Sequence, residues 1–312
     1  MPSPTKDAPK PYDVVIVGGG PGGLAAALAL GRANKRVLLC DRGPRRNAAA
    51  IHLHNFVSRD GVTPDAFRTA SREQLAAYPL VDVHDTRVEA IDGGRGAFRL
   101  TLDDGSIVVA RRIILATGMI DLPLTMDGFA DHWGSSIFQC PYCHGYDHKG
   151  RRWATLARVD TVAHIVPFAL QLRGWTDDVA VVVEVDGLLG DDARQALGAG
   201  GIHVAGAPVR RLVGSGGALQ AIELADGQRL PCDVLFAHPP QRQVDVVASL
   251  KPRLDEHGFV VVDQRGETSI PGVFAAGDLC TRMHAAIAAA SAGTFAAVAI
   301  NIELTIETAT AR

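Results

Sequence analysis

Uninterrupted apolar runs of membrane length are missing from this 312-residue chain, and no apolar core stands behind its N-terminus. Residues 1–11 (MPSPTKDAPKP) are polar and rich in proline. They predict a short disordered arm on a cytoplasmic protein with no membrane partner. Cysteine is scarce: there are five, at positions 40, 140, 143, 232 and 280, and they include one close pair. That excludes a framework of structural disulfides and leaves a catalytic CxxC. Net charge is nearly absent, with 31 basic against 34 acidic residues. No global field would recruit a polyanion, so nucleic acid is excluded as a partner. Sustained heptads and repeats of about 20 to 50 residues are lacking as well, which excludes coiled coils and solenoids. What remains, at 47% hydrophobic and 21% charged, is the composition of a soluble enzyme long enough for two separate cores.

The first motif lies at the start of the ordered sequence. Tyr12 to Val17 (YDVVIV) reads as a strand, GGGPGG follows, Leu24 to Ala33 reads as a helix, and Arg36 to Cys40 as the next strand. Gly18, Gly20 and Gly23 supply GxGxxG at the strand-to-helix turn, with Pro21 inside it, and Asp41 ends the second strand about 20 residues on. The first glycine permits the tight turn. The second lets the backbone approach a pyrophosphate, and the third allows close helix–strand packing while the helix N-terminus stabilises the phosphates. Asp41 would accept hydrogen bonds from ribose hydroxyls. A glycine-rich turn without a ligand is the bland alternative, which the complete β-turn-α-β context disfavours.

Further along, 65–78 reads as a helix, 81–85, 97–102 and 106–110 as short strands, and Arg111 to Ala116 as a buried strand ending at Thr117-Gly118. A boundary is predicted near 118. Residues 152–185 again read strand, helix, strand, with a kink expected at Pro167. Strands near 202–205, 208–213, 218–224 and 233–237 complete this second unit, and Pro239-Pro240 marks the return. Gly258 to Val262, Gly272 to Asp278 and an alanine-rich helix from Ala285 to Glu303 would rejoin the first. The predicted fold class is α/β with two doubly wound, Rossmann-type domains: a discontinuous one over 1–118 and 242–312, and an inserted one over 119–241.

The glycine motif alone does not choose between FAD and NAD. The element GVFAAGD, Gly272 to Asp278, and ATG, Ala116 to Gly118, resemble those of two-dinucleotide flavoproteins. That resemblance implies FAD, with Thr117, Gly118, Gly277 and Asp278 at the flavin's ribityl and phosphate groups and the loop His54-Asn55-Phe56 against the flavin.

The second motif is QCPYCHGYD. Two cysteines separated by two residues close a small disulfide ring, and a helix beginning at the first would favour its thiolate. A CxxC also suits half of a zinc site, but Cys232 and Cys280 are isolated and His144 has no finger-like spacing, so no metal is expected. An inert buried pair is the other alternative. From glycine loop through ATG and CxxC to GVFAAGD, the chain resembles the low-molecular-weight thioredoxin reductases, in which a smaller domain carrying the cysteines interrupts the FAD domain. Those have Asp-Gly after the pair; this chain has His144-Gly145. CxxCHG followed by an aromatic is similar to the dithiol oxidases that close disulfides in natural products of the gliotoxin, holomycin and romidepsin kinds.

That resemblance implies a small-molecule dithiol as substrate, molecular oxygen as acceptor and a homodimer. It also implies Cys143 as the flavin-proximal sulfur, Cys140 as the one that exchanges with substrate, and His144 as acid/base, because imidazole titrates near neutrality. A capping or purely structural role is the alternative for His144. His284 is a second acid/base candidate, with a satisfied structural histidine as its alternative. Trp133, Phe138 and Tyr142 are either an apolar substrate cleft or packing.

A reductase would need a second glycine loop for NADPH. After the strand at 152–156 the sequence instead reads Ala157-Arg158-Val159-Asp160-Thr161-Val162, and Val159 does not adopt glycine conformations. Where the reductases carry an arginine cluster this chain has Glu184 and Asp186, which would repel a phosphate. Both features argue against NADP(H) and for an inserted domain surviving as carrier of CPYC. A reductase fed by NADPH or ferredoxin, and a non-catalytic flavin/thiol redox sensor, are the rival functions.

Overall fold

The computed structural model describes residues 10–42 and 45–311. The first nine residues of the predicted arm lie outside the described ones, and Lys10 and Pro11 are exposed. Among the described residues the chain falls into two compact units. One holds the chain up to Ala48, Asn55–Ile120 and the stretch from Gln241 on; the other holds Ala49–His54 and Asp121–Pro240.

The first unit opens with β1 (Tyr12–Val17), α1 (Pro21–Arg32), β2 (Val37–Cys40), α2 (Pro64–Leu75), β3 (Val81–His84), β4 (Val88–Asp92), β5 (Phe98–Leu102) and β6 (Ile107–Leu115). Parallel strands buried on both faces must be apolar at successive positions, because each side chain points opposite to its neighbour. Val14 and Ile16 accordingly join Leu39, Ile114, Leu24 and Leu30 in one core. Val15 and Val17 join Leu38, Ile113 and Leu115 in the core of the opposite face. The order across the sheet is β3-β2-β1-β6-β5-β4. β6 is one nine-residue strand, where the sequence predicted two. Its first half pairs antiparallel with β5 and its second half parallel with β1, so one strand serves a hairpin and a Rossmann sheet.

β7 (Ile120–Asp121) leads onward to α3 (Phe129–His132), β8 (Ile137–Phe138), α4 (Pro141–His144), β9 (Trp153–Ala157), α5 (Ile165–Leu172), β10 (Val179–Val183), α6 (Asp191–Ala199), β11 (His203–Ser215), β12 (Ala218–Leu224), β13 (Arg229–Pro231) and β14 (Val234–Phe236). The sheet runs β13-β12-β11-β10-β9-β14-β8, parallel from β8 to β11 and antiparallel from β11 to β13. Two strands predicted at 202–205 and 208–213 are one long β11, which follows β10 and then turns into the meander through a register shift. The kink expected at Pro167 does not form. A 3-10 turn covers Val162–His164, and Pro167 then falls in the first turn of α5, where a missing N–H costs nothing.

β15 (Gln241–Arg242), α7 (Asp245–Leu250), β16 (Val273–Ala275) and α8 (Ala286–Thr310) complete the first unit. β16 adds to β6 in parallel. Residues 258–262, expected as a strand, contribute only the bridge Leu254–Val260. α8 outruns its predicted end at Glu303 by seven residues and corrects the absence of a membrane-length apolar segment: with a mean hydropathy of 1.6 it is long and apolar enough, by length and composition, to cross a bilayer. One face of it packs into the core of the first unit. Ala296, Ala297, Ile300 and Leu304 are buried against the sheet, and Glu303 and Glu307 are ion-paired with the fully buried Arg112.

Candidate active site

The glycine turn of the first unit is built from four close approaches. Gly18 has φ +107°, a conformation that a side chain resists, and a Cβ there would lie 2.4 Å from the carbonyl oxygen of Ala116. A Cβ on Gly23 would lie 1.9 Å from the Gly18 oxygen. One on Gly19 would run into the Asp41 carboxylate, which accepts the Gly19 amide at 3.1 Å. Gly22 packs against α8, where a Cβ on Gly293 would stand 2.0 Å from the Gly22 oxygen. Gly20 differs: its φ is −75°, and a Cβ there would meet nothing within 4 Å. Protein packing does not demand glycine at that position, which leaves room there for the pyrophosphate that the motif is expected to approach. Pro21 opens α1 at a position where the missing N–H costs nothing.

Asp41 stands just beyond β2, its second oxygen held by Arg68 Nε at 2.8 Å. The carboxylate lies in a cleft of about 270 Å³ with Arg42, Arg45, Arg68 and Asp85. Thr117 and Gly118 follow β6, and Gly118 takes φ +63° with its α-carbon facing Asp278. Gly277 (φ +78°) and Asp278 form a 3-10 turn after β16. Asn55 is also left-handed, at φ +61°, its amide donating to Asp60 at 2.8 Å. The structure therefore gathers the glycine turn, Thr117, Gly118 and Asp278 at the carboxyl ends of β1, β6 and β16, where Rossmann folds bind dinucleotides. Sequence reasoning missed Arg46. Its guanidinium donates to Asp278 at 3.0 Å and to His284 Nδ1 at 2.8 Å, offsetting the charge of the Asp278 carboxylate. An arginine only donates, so His284 carries its proton on Nε2 in this arrangement. No glycine pattern points to Arg46. These residues fit FAD, and would hold its diphosphate at the α1 N-terminus and its ribityl chain near Asp278.

In the second unit Cys140 caps the single turn of α4, and its sulfur lies 2.8 Å from that of Cys143. The hydrogen bond from Cys143 brings the Cys140 thiol down to about 7, against the opposing effect of burial, and the amides of Cys143 and Tyr142 add to the lowering. Burial pushes Cys40, Cys232 and Cys280 up to about 12, which leaves them unreactive. His144 ends α4 with its ring stacked on Phe138, centroids 4.1 Å apart and planes 10° apart. Among the described residues its Nδ1 is buried with no hydrogen-bond partner. Burial, reinforced by the nearby His148, moves its pKa down to about 4. The expectation that this imidazole titrates near neutrality is not met in the free protein, because burial disfavours its charged form. Of the three aromatics singled out, Phe138 is buried beneath His144 and Trp133 stacks on Phe129. Only Tyr142, 62% exposed, stands open beside the pair. Among the described residues no three His, Cys, Asp or Glu gather as metal ligands.

Residues 12–293 match the family described as pyridine nucleotide-disulphide oxidoreductase. A thioredoxin reductase of Claviceps purpurea, tcpT, is 32% identical over 85% of this chain and 86% of its own length. One from Leptosphaeria maculans, sirT, is 29% identical over 95% of both chains. A probable thioredoxin reductase of Arthroderma benhamiae is 33% identical, and there the match spans only 43% of that relative's length. Among solved structures, that of HlmI superposes with a TM-score of 0.89 at 33% identity, over 96% of this chain and 95% of the other. On a match that spans both dinucleotide folds and the CPYC turn, the chain belongs to the pyridine nucleotide-disulphide oxidoreductase family, as an FAD-type oxidoreductase with the thioredoxin-reductase-like fold.

Proposed function

We propose that this protein oxidises a small-molecule dithiol, of the kind found in peptide-derived natural products, to its intramolecular disulfide, with molecular oxygen as final acceptor. The observation that carries this reading is the arrangement at the CPYC turn. An acidified Cys140 lies 2.8 Å from Cys143, and the next residue is the buried imidazole of His144, which is hydrogen-bonded to the Cys140 backbone and stacked on Phe138.

In the oxidised pair, His144 takes the proton of an incoming substrate thiol. The thiolate attacks Cys140 Sγ, the Cys140–Cys143 bond breaks and Cys143 leaves as thiolate. The second substrate thiol gives its proton to the Cys143 thiolate, attacks the substrate sulfur of the mixed disulfide and expels Cys140, whose thiolate then accepts the Cys143 S–H hydrogen bond. One disulfide forms in the substrate, one is lost in the protein, and two electrons now reside on Cys140 and Cys143. FAD, when bound, supplies the acceptor for that pair of electrons and their transfer to oxygen, which leaves with two protons as hydrogen peroxide. The balance is one dithiol and one O2 to one cyclic disulfide and one H2O2.

The enzyme works as a homodimer in the cytoplasm. For the dimer the support is an exposed apolar row on α8, Phe295, Val298, Ile302 and Ile306, at helical spacing. For the compartment it is a single redox pair in place of a disulfide framework.

The relatives named thioredoxin reductase favour a second reading, reduction of a protein disulfide by NADPH or ferredoxin. Anaerobic mixing separates the two. FAD-loaded protein mixed with a small dithiol should lose its flavin colour, recover it in air and release disulfide and peroxide in equal amounts. Failure to bleach with dithiols, together with NADPH- or ferredoxin-dependent reduction of thioredoxin, overturns the oxidase.

A further inference from the structure

We infer that the dinucleotide crevice of the second unit is stapled shut from within by Arg158, which makes this residue the determinant that denies nicotinamide dinucleotides to the protein. In an open α/β sheet such a ligand lies outside the carboxyl ends of the strands, at the point where strand order reverses. In this unit that point is β9, with β10 paired on one side and β14 on the other. Arg158 is the first residue after β9. It is 9% exposed and reaches the end of each of the three strands. Its Nη1 donates to the carbonyl of His238, beyond β14, at 3.2 Å. Its Nε lies 3.3 Å from the carboxylate of Glu184, the residue after β10, and its Nη2 lies 3.5 Å from Asp160.

The backbone agrees with the side chain. A phosphate loop leaves its amides aimed at the pyrophosphate. In this loop the Arg158 amide donates to Thr161 Oγ1, the Thr161 amide to the Arg158 carbonyl and the His164 amide to the Thr161 carbonyl, at 3.2, 3.0 and 3.0 Å. None of residues 158–161 has positive φ, whereas Gly18 at the matching turn of the first unit stands at +107°. The helix that would present its N-terminus is replaced at that end by the 3-10 turn Val162–His164. A guanidinium is the group expected to bind a 2′-phosphate. In this crevice its charge is already matched by Glu184 and Asp160, and its bulk lies where the pyrophosphate would pass. The residues present do not fit NADP(H).

Two measurements test this independently of which dithiol is the substrate. Calorimetric titration of FAD-loaded protein with NADP+ and with NADPH should show no saturable binding up to about 1 mM, the upper end of ordinary Michaelis constants. Saturable binding below that overturns the inference. Hydrogen exchange of peptides covering 157–161, 184–186 and 237–240 should quicken at least about tenfold in Arg158→Ala, as the strand ends lose their common tie. Arg158→Lys, which reaches one acceptor in place of three, should quicken less. Wild-type exchange in Arg158→Ala overturns the staple; if that variant does not fold, wild-type exchange in Arg158→Lys does so. A protein that refuses NADPH and also fails to bleach with dithiols would sink the oxidase reading while leaving the staple standing.

Discussion

Cys140 and Cys143 owe their chemistry to a contact of 2.8 Å, since the hydrogen bond between the sulfurs is the largest cause of the Cys140 acidity. Alkylation of Cys140 by iodoacetamide should rise with pH around a midpoint near 7. In Cys143→Ala the midpoint should move toward the ordinary thiol value of about 8.5, and the rate at pH 7 should fall roughly tenfold or more. A midpoint that stays near 7 in the variant would assign the acidity to the α4 amides instead. Cys40, Cys232 and Cys280 should not react on the same timescale, because burial holds their protons. His144 gives a pH signature of opposite origin. Its folded pKa of about 4 lies below the free imidazole's, about 6.5. As pH falls the unfolded chain is protonated first, so stability is complete above about 6.5 and is lost progressively as pH drops toward 4. Urea midpoints at pH 7, 5.5 and 4.5 should decline less in His144→Gln than in wild type. Its turnover of dithiol should fall by about 10²- to 10⁴-fold, the usual contribution of a proton-transfer group.

Two turns occupy the same place in two sheets, after β1 and after β9, and their residues divide them. In the first, glycines bear contacts that no side chain could share. In the second, Arg158 spends the space on ion pairs. The glycines of the first turn are not equivalent either. Gly20→Ala meets open space at an ordinary φ, so the apoprotein should melt within a degree or two of wild type while FAD binds at least about tenfold more weakly, a loss of about 1.4 kcal/mol. Gly23→Ala drives a methyl onto the Gly18 carbonyl at 1.9 Å and should cost the fold itself about 1–3 kcal/mol or more. Flavin fluorescence titration and thermal melts of the apoproteins separate the two effects. A Gly20→Ala protein that binds FAD like wild type would remove the reason given for that glycine. α8 closes on α1 through the same device: Gly293 lets the two backbones meet, and a residue with a side chain there would separate them.

For the whole molecule, the apolar row on α8 is a surface that the core of the first unit does not use. With Phe295 and Ile302 both changed to Lys, sedimentation velocity should find a species of 32.9 kDa in place of one twice that mass. A wild-type protein that sediments at 32.9 kDa would refute the homodimer. Much of the architecture was legible in the chain because parallel strands buried on both faces leave apolar runs, and YDVVIV and VAVVV are read directly. What was misread follows from contacts that local pattern does not hold. β6 and β11 each continue through a change of partner, so the charged pair Arg111-Arg112 and the small residues Gly206-Ala207 looked like breaks. α8 runs past Glu303 because that carboxylate is neutralised by Arg112, 191 residues away in sequence. The sequence by itself determined the pair, the glycine turn and the absence of glycine from 157–162, since these depend on residue type at fixed short spacing. Only the tertiary structure decided that Arg46 stands against Asp278, that His144 is stacked on Phe138 and that Arg158 ties three strand ends together. Charge pairing and burial between distant residues have no period or spacing along the chain from which they could be read.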